Sequence, residues 1–194
     1  MGEIEIEDRK YKHAEFDELM QNVKGKIEYH AGYIRKVEMK SPNHNRLQAE
    51  TLFSLARSLE KKQCFGFGSS QGIAIEKEDR YFFPDASFVC GAEEYLRDLY
   101  LKNPSVIVEV ASENTLAYNE GEKMFFYFKI ASLKEYIVVC EDKPLAIVHT
   151  QNDKKQWTTA VFMGLKSKIH LPNFNLDLEM KDIYRRVKDL EELK

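Results

Sequence analysis

The stretch Tyr81-Phe82-Phe83-Pro84-Asp85-Ala86-Ser87-Phe88-Val89-Cys90, followed further on by Pro104-Ser105-Val106-Ile107-Val108-Glu109-Val110, decides how this chain folds. Each segment is a run of β-branched and aromatic residues bounded by Pro, Gly or Asn, so each reads as a strand. Each carries one carboxylate, Asp85 or Glu109, where an apolar side chain is expected. Side chains alternate along a strand, so Val106, Val108 and Val110 share one face while Ile107, Glu109 and Ala111 share the other. A carboxylate among small apolar neighbours is costly unless it is paired, protonated or bound to a cation. Two of them on neighbouring strands repel, and a divalent ion removes that repulsion. Two readings stand at this point: a metal-binding pair, or carboxylates that reach water at strand ends.

The 194 residues, 43% hydrophobic, suffice for one core and point to a single domain over 1–194. Twelve Phe, ten Tyr and one Trp suit a packed α/β or α+β domain. With 29 basic and 32 acidic residues the formal charge is −3, which provides no global basic field but leaves room for a local basic groove. The cysteines Cys64, Cys90 and Cys140 form no CxxC pair and no evident disulfide framework, which suggests a reducing cytoplasm. The histidines (His13, His30, His44, His149, His170) lack paired metal spacing, so a structural zinc site is not expected. The acidic N-terminus has no apolar signal core, and no run of about 18 apolar residues occurs, so no membrane association is expected.

Taken in order, Phe16, Leu19, Met20 and Val23 predict an amphipathic helix over about 10–23, ended near Gly25. Ile27 to Lys40 reads as a hairpin turning at Ala31-Gly32. Ser41-Pro42-Asn43 starts a helix that runs to Leu59 with His44 in its first turn. That histidine is either a neutral or capping group or one that faces a site. Cys64–Gly68 and Gly72–Glu76 read as short strands joined by Ser69-Ser70-Gln71, and Gly66, Gly68 and Gly72 make no phosphate-binding loop. A helix over about 116–130 places Asn119, Lys123 and Tyr127 on one stripe, with Lys123 able to fold back toward Glu109. Strands follow at 135–140, 144–150, 156–162 and 167–171. The C-terminal segment, about 179–193, reads as a helix whose charged face is either solvated or flanks a partner.

The ordered set of a Pro-Asp on one strand, a Glu on the next and a lysine on the following helix resembles the restriction-endonuclease-like superfamily with its PD-(D/E)XK motif. Within it the chain is most similar to the Uma-two family of restriction-endonuclease-type proteins. The segments that carry the resemblance are Glu28-Tyr29-His30-Ala31-Gly32, Ser41-Pro42-Asn43-His44-Asn45, Pro84 to Cys90, and Pro104 to Val139. The resemblance implies a central mixed sheet flanked by helices, with extra antiparallel strands and a C-terminal helix. It also implies that Asp85, Glu109 and the Val110 carbonyl ligate Mg²⁺ (or Mn²⁺), and that Lys123 replaces the superfamily lysine, whose usual position is Ala111. Glu28 and His44 are implied to border the pocket, with Asn119 and Tyr127 beside it. Asn119 stands where the family usually has an aspartate; an amide can hydrogen-bond Lys123 but cannot ion-pair with it.

The function these features imply is metal-dependent hydrolysis of phosphodiester bonds, with DNA as partner. Cutting both strands of a duplex needs two sites, which a homodimer supplies by symmetry. The alternative is a catalytically silent nucleic-acid-binding or protein-interaction module that keeps the fold.

Overall fold

Proline cannot donate to a ladder and holds the residue before it extended. At Pro84 the chain leaves one sheet for another, so the stretch Tyr81–Cys90 is two strands rather than one. The structure, a computed structural model, describes residues 6–191. In chain order the strands are β1 (Lys26–His30), β2 (Tyr33–Val37), β3 (Cys64–Gly68), β4 (Gly72–Ile75), β5 (Arg80–Phe82), β6 (Ala86–Cys90), β7 (Tyr95–Leu96), β8 (Tyr100–Leu101), β9 (Val106–Ala111), β10 (Glu135–Cys140), β11 (Leu145–Gln151), β12 (Trp157–Met163), β13 (Lys168–Leu171) and β14 (Leu176–Glu179). The α-helices are α1 (His13–Asn22), α2 (Pro42–Leu59), α3 (Glu113–Tyr118), α4 (Met124–Tyr127) and α5 (Met180–Ile183). A π-helical turn, Asn119–Lys123, separates α3 from α4.

One sheet has the order β2-β1-β5-β4-β8-β7 and the other β12-β11-β10-β9-β6-β3, while β13 and β14 form a separate pair. In the second sheet β9 and β10 run parallel, joined by the crossover through α3 and α4, and the remaining neighbours are antiparallel. The architecture is the mixed α/β one expected from sequence, a mixed sheet flanked by helices with extra antiparallel strands. Alternation along β9 assigns its faces as expected. Val106, Val108 and Val110 pack with Leu47 and Leu55 of α2 and with Met180 and Ile183 of α5. Ile107 and Ala111 pack on the opposite side with Tyr127, Tyr136 and the first-sheet residues Ile73 and Phe82. A third cluster, including Phe16, Tyr29, Tyr81 and Tyr100, seats α1 on the other face of the first sheet.

Three further expectations need correction. The helix expected over 116–130 starts at Glu113, is interrupted by the π turn, and ends at Tyr127. The C-terminal helix expected over about 179–193 is four residues long, Met180–Ile183: Glu179 is the last residue of β14, and the chain leaves the helix at Tyr184, whose hydroxyl donates to the Cys140 and Leu145 carbonyls; residues 192 and 193 lie outside the described residues. Its charged face does not stand free. Arg185 and Arg186 both reach the buried Glu50 of α2, at 2.7 and 3.0 Å, and tie the C-terminal segment to the core. The cysteines also differ from expectation. Cys64 and Cys90 stand opposite each other in the β3–β6 register and form a disulfide, leaving Cys140 as the free, buried thiol. The argument for a reducing compartment from unpaired cysteines is thereby removed. Among the described residues no helix is long and apolar enough to cross a membrane.

β3 and β4, adjacent in sequence, lie in different sheets, and their glycines do more than punctuate. A Cβ on Gly66 would sit 2.6 Å from Cε1 of Phe88, whose ring is fully buried and has nowhere to move. Gly66→Ala should therefore destabilise the fold by about 1–3 kcal/mol through overpacking. The check is a lower urea midpoint with an unchanged m-value; an unaltered midpoint would refute the packing argument.

Candidate active site

The sheet change at Pro84 creates the site. The register that pairs Ala86 with Val108 would bring Pro84 opposite Val110, but the chain has already turned away there. The Asp85 carboxylate takes the vacant place: the Val110 N–H donates to Asp85 Oδ2 at 2.7 Å. Oδ1 accepts from His44 Nε2 at 2.8 Å, and Gln48, one turn along α2, donates to the Asp85 carbonyl at 2.9 Å. Helix α2 starts where the sequence signals it, with Ser41 Oγ accepting from the His44 N–H at 2.9 Å. Serine is thus the cap, which leaves the His44 ring free to face Asp85. Its other nitrogen lies 3.5 Å from Glu141, which Ser41 Oγ also contacts at 2.9 Å.

Glu109 projects from β9 on the face opposite the valines and meets residues from two other elements. Lys123 Nζ and Tyr127 OH both donate to its Oε1 at 2.9 Å. These are the only hydrogen bonds to its carboxylate from described residues, and both leave Oε2 unengaged. Lys123 Nζ also lies 2.9 Å from Glu28 Oε1, so one ammonium bridges β1 of the first sheet and β9 of the second. Glu28 additionally accepts from the Phe83 N–H at 3.2 Å and from Tyr118 OH at 3.4 Å. Glu28, Asp85, Glu109 and Lys123 are 1%, 3%, 4% and 6% exposed, so their mutual contacts act where solvent screens little.

The electrostatics follow from a shortage of counter-charge. Burial lifts the Glu28 carboxyl, but the Lys123 ammonium and further hydrogen bonds outweigh it and hold the group well below the usual carboxylate range. Asp85 is also held low, with the His44 and Val110 hydrogen bonds overcoming its burial. Glu109 goes the other way. Burial raises it, Lys123 opposes that, and the negative Asp85 and Glu28 add to the rise. Lys123 itself is pushed above its ordinary value, its burial outweighed by Glu109 and Glu28. One ammonium shared by two glutamates satisfies one of them in full, and Glu109 is the carboxylate left wanting positive charge.

All of the residues singled out in the sequence lie at or around this cluster, with different parts to play. Asp85, Glu109, Lys123, Glu28, His44 and Tyr127 are joined by the contacts above. Asn119 is buried but makes no side-chain hydrogen bond to Lys123; its carbonyl accepts from Tyr136 OH at 2.9 Å. The lysine is anchored by Glu28 instead. Val110 contributes its N–H to Asp85. Lys26 escaped notice in the sequence: its Nζ donates to the Phe83 carbonyl at 2.7 Å, and burial lowers its pKa against the pull of Asp85. A signal was present, because Lys26, Glu28 and His30 are polar at every second position of β1 between Ile27 and Tyr29.

A divalent ion fits this donor set. Asp85 and Glu109 are hard oxygen donors, and Glu109 has both a free oxygen and a deficit of positive charge. Among the described residues no group of three or more His, Cys, Asp or Glu has metal-holding geometry. Two carboxylates with the remaining positions taken by water and phosphate oxygens is the arrangement Mg²⁺ commonly accepts.

The similarity to known proteins covers most of the chain. The model of the Uma2 family, described as "Putative restriction endonuclease", matches residues 13–181. The Synechocystis sp. (strain ATCC 27184 / PCC 6803 / Kazusa) protein "Uncharacterized protein sll1609" is 26% identical over 159 residues, 80% of this chain and 89% of that protein. "Uncharacterized protein slr1290" of the same organism is 25% identical over 160 residues, 82% and 84% of the two chains. A crystal structure from Anabaena variabilis ATCC 29413, described as "a putative nuclease belonging to DUF820", matches with a TM-score of 0.67 at 18% identity, covering 86% of this chain and 97% of that one. At that identity the likeness speaks to the fold.

Removing the shared cation should be costly. Lys123→Met leaves the Glu28 and Glu109 carboxylates buried without their shared counter-charge and should destabilise the protein by about 3–5 kcal/mol near neutral pH. Glu28 has a depressed folded-state pKa, so its contribution is fully present above the ordinary glutamate value, about 4.3, and fades as the pH falls toward the folded one. The gap between wild type and variant in urea denaturation should therefore be widest near neutrality and narrow in acid. A gap independent of pH would mean the cluster is not ionised as described.

Proposed function

The chain belongs to the Uma2 family, described as "Putative restriction endonuclease", and on that premise we propose that it is a metal-dependent endonuclease that hydrolyses phosphodiester bonds in DNA. The observation that carries this reading is Glu109, a buried carboxylate with one oxygen fixed by Lys123 and Tyr127, the other free, and Asp85 raising its appetite for a cation. In this reading Asp85, Glu109 and the Val110 carbonyl hold Mg²⁺ or Mn²⁺. Held there, such an ion would supply Lewis acidity toward the phosphate and toward the attacking water.

The chain's own residues have separable tasks. His44 and the Val110 N–H keep Asp85 ionised and fix both of its oxygens in direction, each retaining a further lone pair. Tyr127 and Lys123 orient Glu109 through Oε1. Glu28 holds the Lys123 ammonium at the floor of the pocket, where it can stabilise the negative charge that grows on the phosphate in the transition state. Cutting both strands of a duplex would call for two such sites, the number a homodimer provides.

A Mn²⁺ titration by calorimetry tests the reading without a guess about substrate sequence. Wild type should bind saturably, and Asp85→Ala and Glu109→Ala should each lose binding. Absence of Mn²⁺ binding by wild type at millimolar concentration would favour the silent binding module instead. In nuclease assays Asp85→Ala should abolish metal-dependent cleavage. Lys123→Ala, assayed at a temperature where it stays folded, should lose rate more than metal affinity; the reverse pattern would mean that its role is misassigned.

A further inference from the structure

The pocket over Glu109 and Lys123 has a volume of about 200 Å³ and a rim of distinct chemistry. On one side stand β2 and the segment after it, contributing Arg35 and Lys40; on the other stands α3, contributing Asn114 and Tyr118. Arg35 pairs with Glu28 in the β1–β2 register and therefore lies on the pocket face of that sheet, as does Tyr33, the partner of His30. The Arg35 guanidinium lies 3.6 Å from the centre of the Tyr118 ring, and that phenol reaches Glu28 below. Neither Arg35 nor Lys40 forms an ion pair with a described residue, and Tyr33 is 48% exposed. Two carboxylates stand near: Glu38 lines the pocket, and Glu122 lies 3.3 Å from His30, the cross-strand partner of Tyr33. In a chain of net charge −3, the unpaired Arg35 and Lys40 stand at the mouth of the pocket beside Tyr118, and the exposed Tyr33 lies on the same face two positions back along β2.

We propose that this rim is a landing surface for single-stranded nucleic acid, with Arg35 and Lys40 taking backbone phosphates and Tyr33 and the Arg35–Tyr118 stack taking bases. The proposal rests on the phosphodiesterase reading of the pocket and names its substrate class. Two features select a single strand over a duplex. The reactive groups lie at the floor, almost wholly buried, and a scissile phosphate must come within about 3–3.5 Å of them. Duplex DNA, with a persistence length of about 50 nm, bends little over a few base pairs, whereas a single strand can fold one phosphodiester inward toward the floor. Aromatic and guanidinium planes next to a positive track are also the elements that bind unstacked bases irrespective of sequence.

The test is anisotropy of a fluorescein-labelled oligo(dT) of about twenty nucleotides and of a duplex of equal length, without added metal, across a salt series. Wild type should bind the single strand about tenfold more tightly than the duplex. Arg35→Gln and Lys40→Gln should each weaken that binding and reduce the slope of log K against log salt by about 0.7, the value for one phosphate contact on a single strand. Lys166→Gln, in the turn between β12 and β13, should change neither. Equal or tighter binding of the duplex, no binding at all, or rim variants indistinguishable from Lys166→Gln would each overturn the proposal. Cleavage is then assayed separately with Mn²⁺. Single-strand binding with the expected slopes but no cleavage would leave the landing surface standing and remove the nuclease reading.

Discussion

The Lys123 ammonium, held 2.9 Å from both Glu28 and Glu109, is the interaction on which the arrangement depends. Glu28 belongs to one sheet, Glu109 to the other, and Lys123 to the crossover between β9 and β10. Breaking a buried pair by removing one partner is far more costly than never having built it. The bridge therefore fixes how the two sheets meet as well as where the charges lie. Hydrophobic packing around Tyr127, Ile107, Ile73 and Phe82 brings the sheets together without regard to fine register. The charged bridge supplies the direction that packing lacks.

Asp85 extends this logic from a different origin. Its position follows from Pro84, which ends one ladder, and from the missing ladder partner of Val110, which the carboxylate replaces. The acid that the proposed chemistry needs most is thus also a backbone cap. Its removal would expose a buried N–H as well as delete a negative charge, so stability and activity are not separable at this residue. Glu109 is different, because its free oxygen serves no described contact and is available for a ligand.

Much of this was legible in the sequence because it obeys short periods. Alternation in Val106–Ala111 gave both faces of β9, and the same alternation exposed Glu109 as out of place. The start of α2 was marked by Ser41 and Pro42. What was not legible involves pairings set at a distance. The change of sheet inside Tyr81–Cys90 depends on what β5 and β6 each find to pair with. The Cys64–Cys90 bond depends on the β3–β6 register. The short strands β7 and β8, two residues each, are too brief to carry any periodic signal. Lys26 differs from these, because its period-two company with Glu28 and His30 marks it in the sequence itself.

The π turn between α3 and α4 has a geometric consequence for the pocket. Tyr118 at its rim and Lys123 at its floor are five residues apart, and both reach Glu28. In an uninterrupted α-helix five residues amount to about 500° of rotation, which would leave the two side chains about 140° apart around the axis. A turn closed by i→i+5 bonds brings them back into phase. The one extra residue in that turn works as a phase shifter, setting the upper and lower walls of the pocket to the same bearing. With the same five-residue spacing, a regular α-helix could aim either of them at Glu28, but not both.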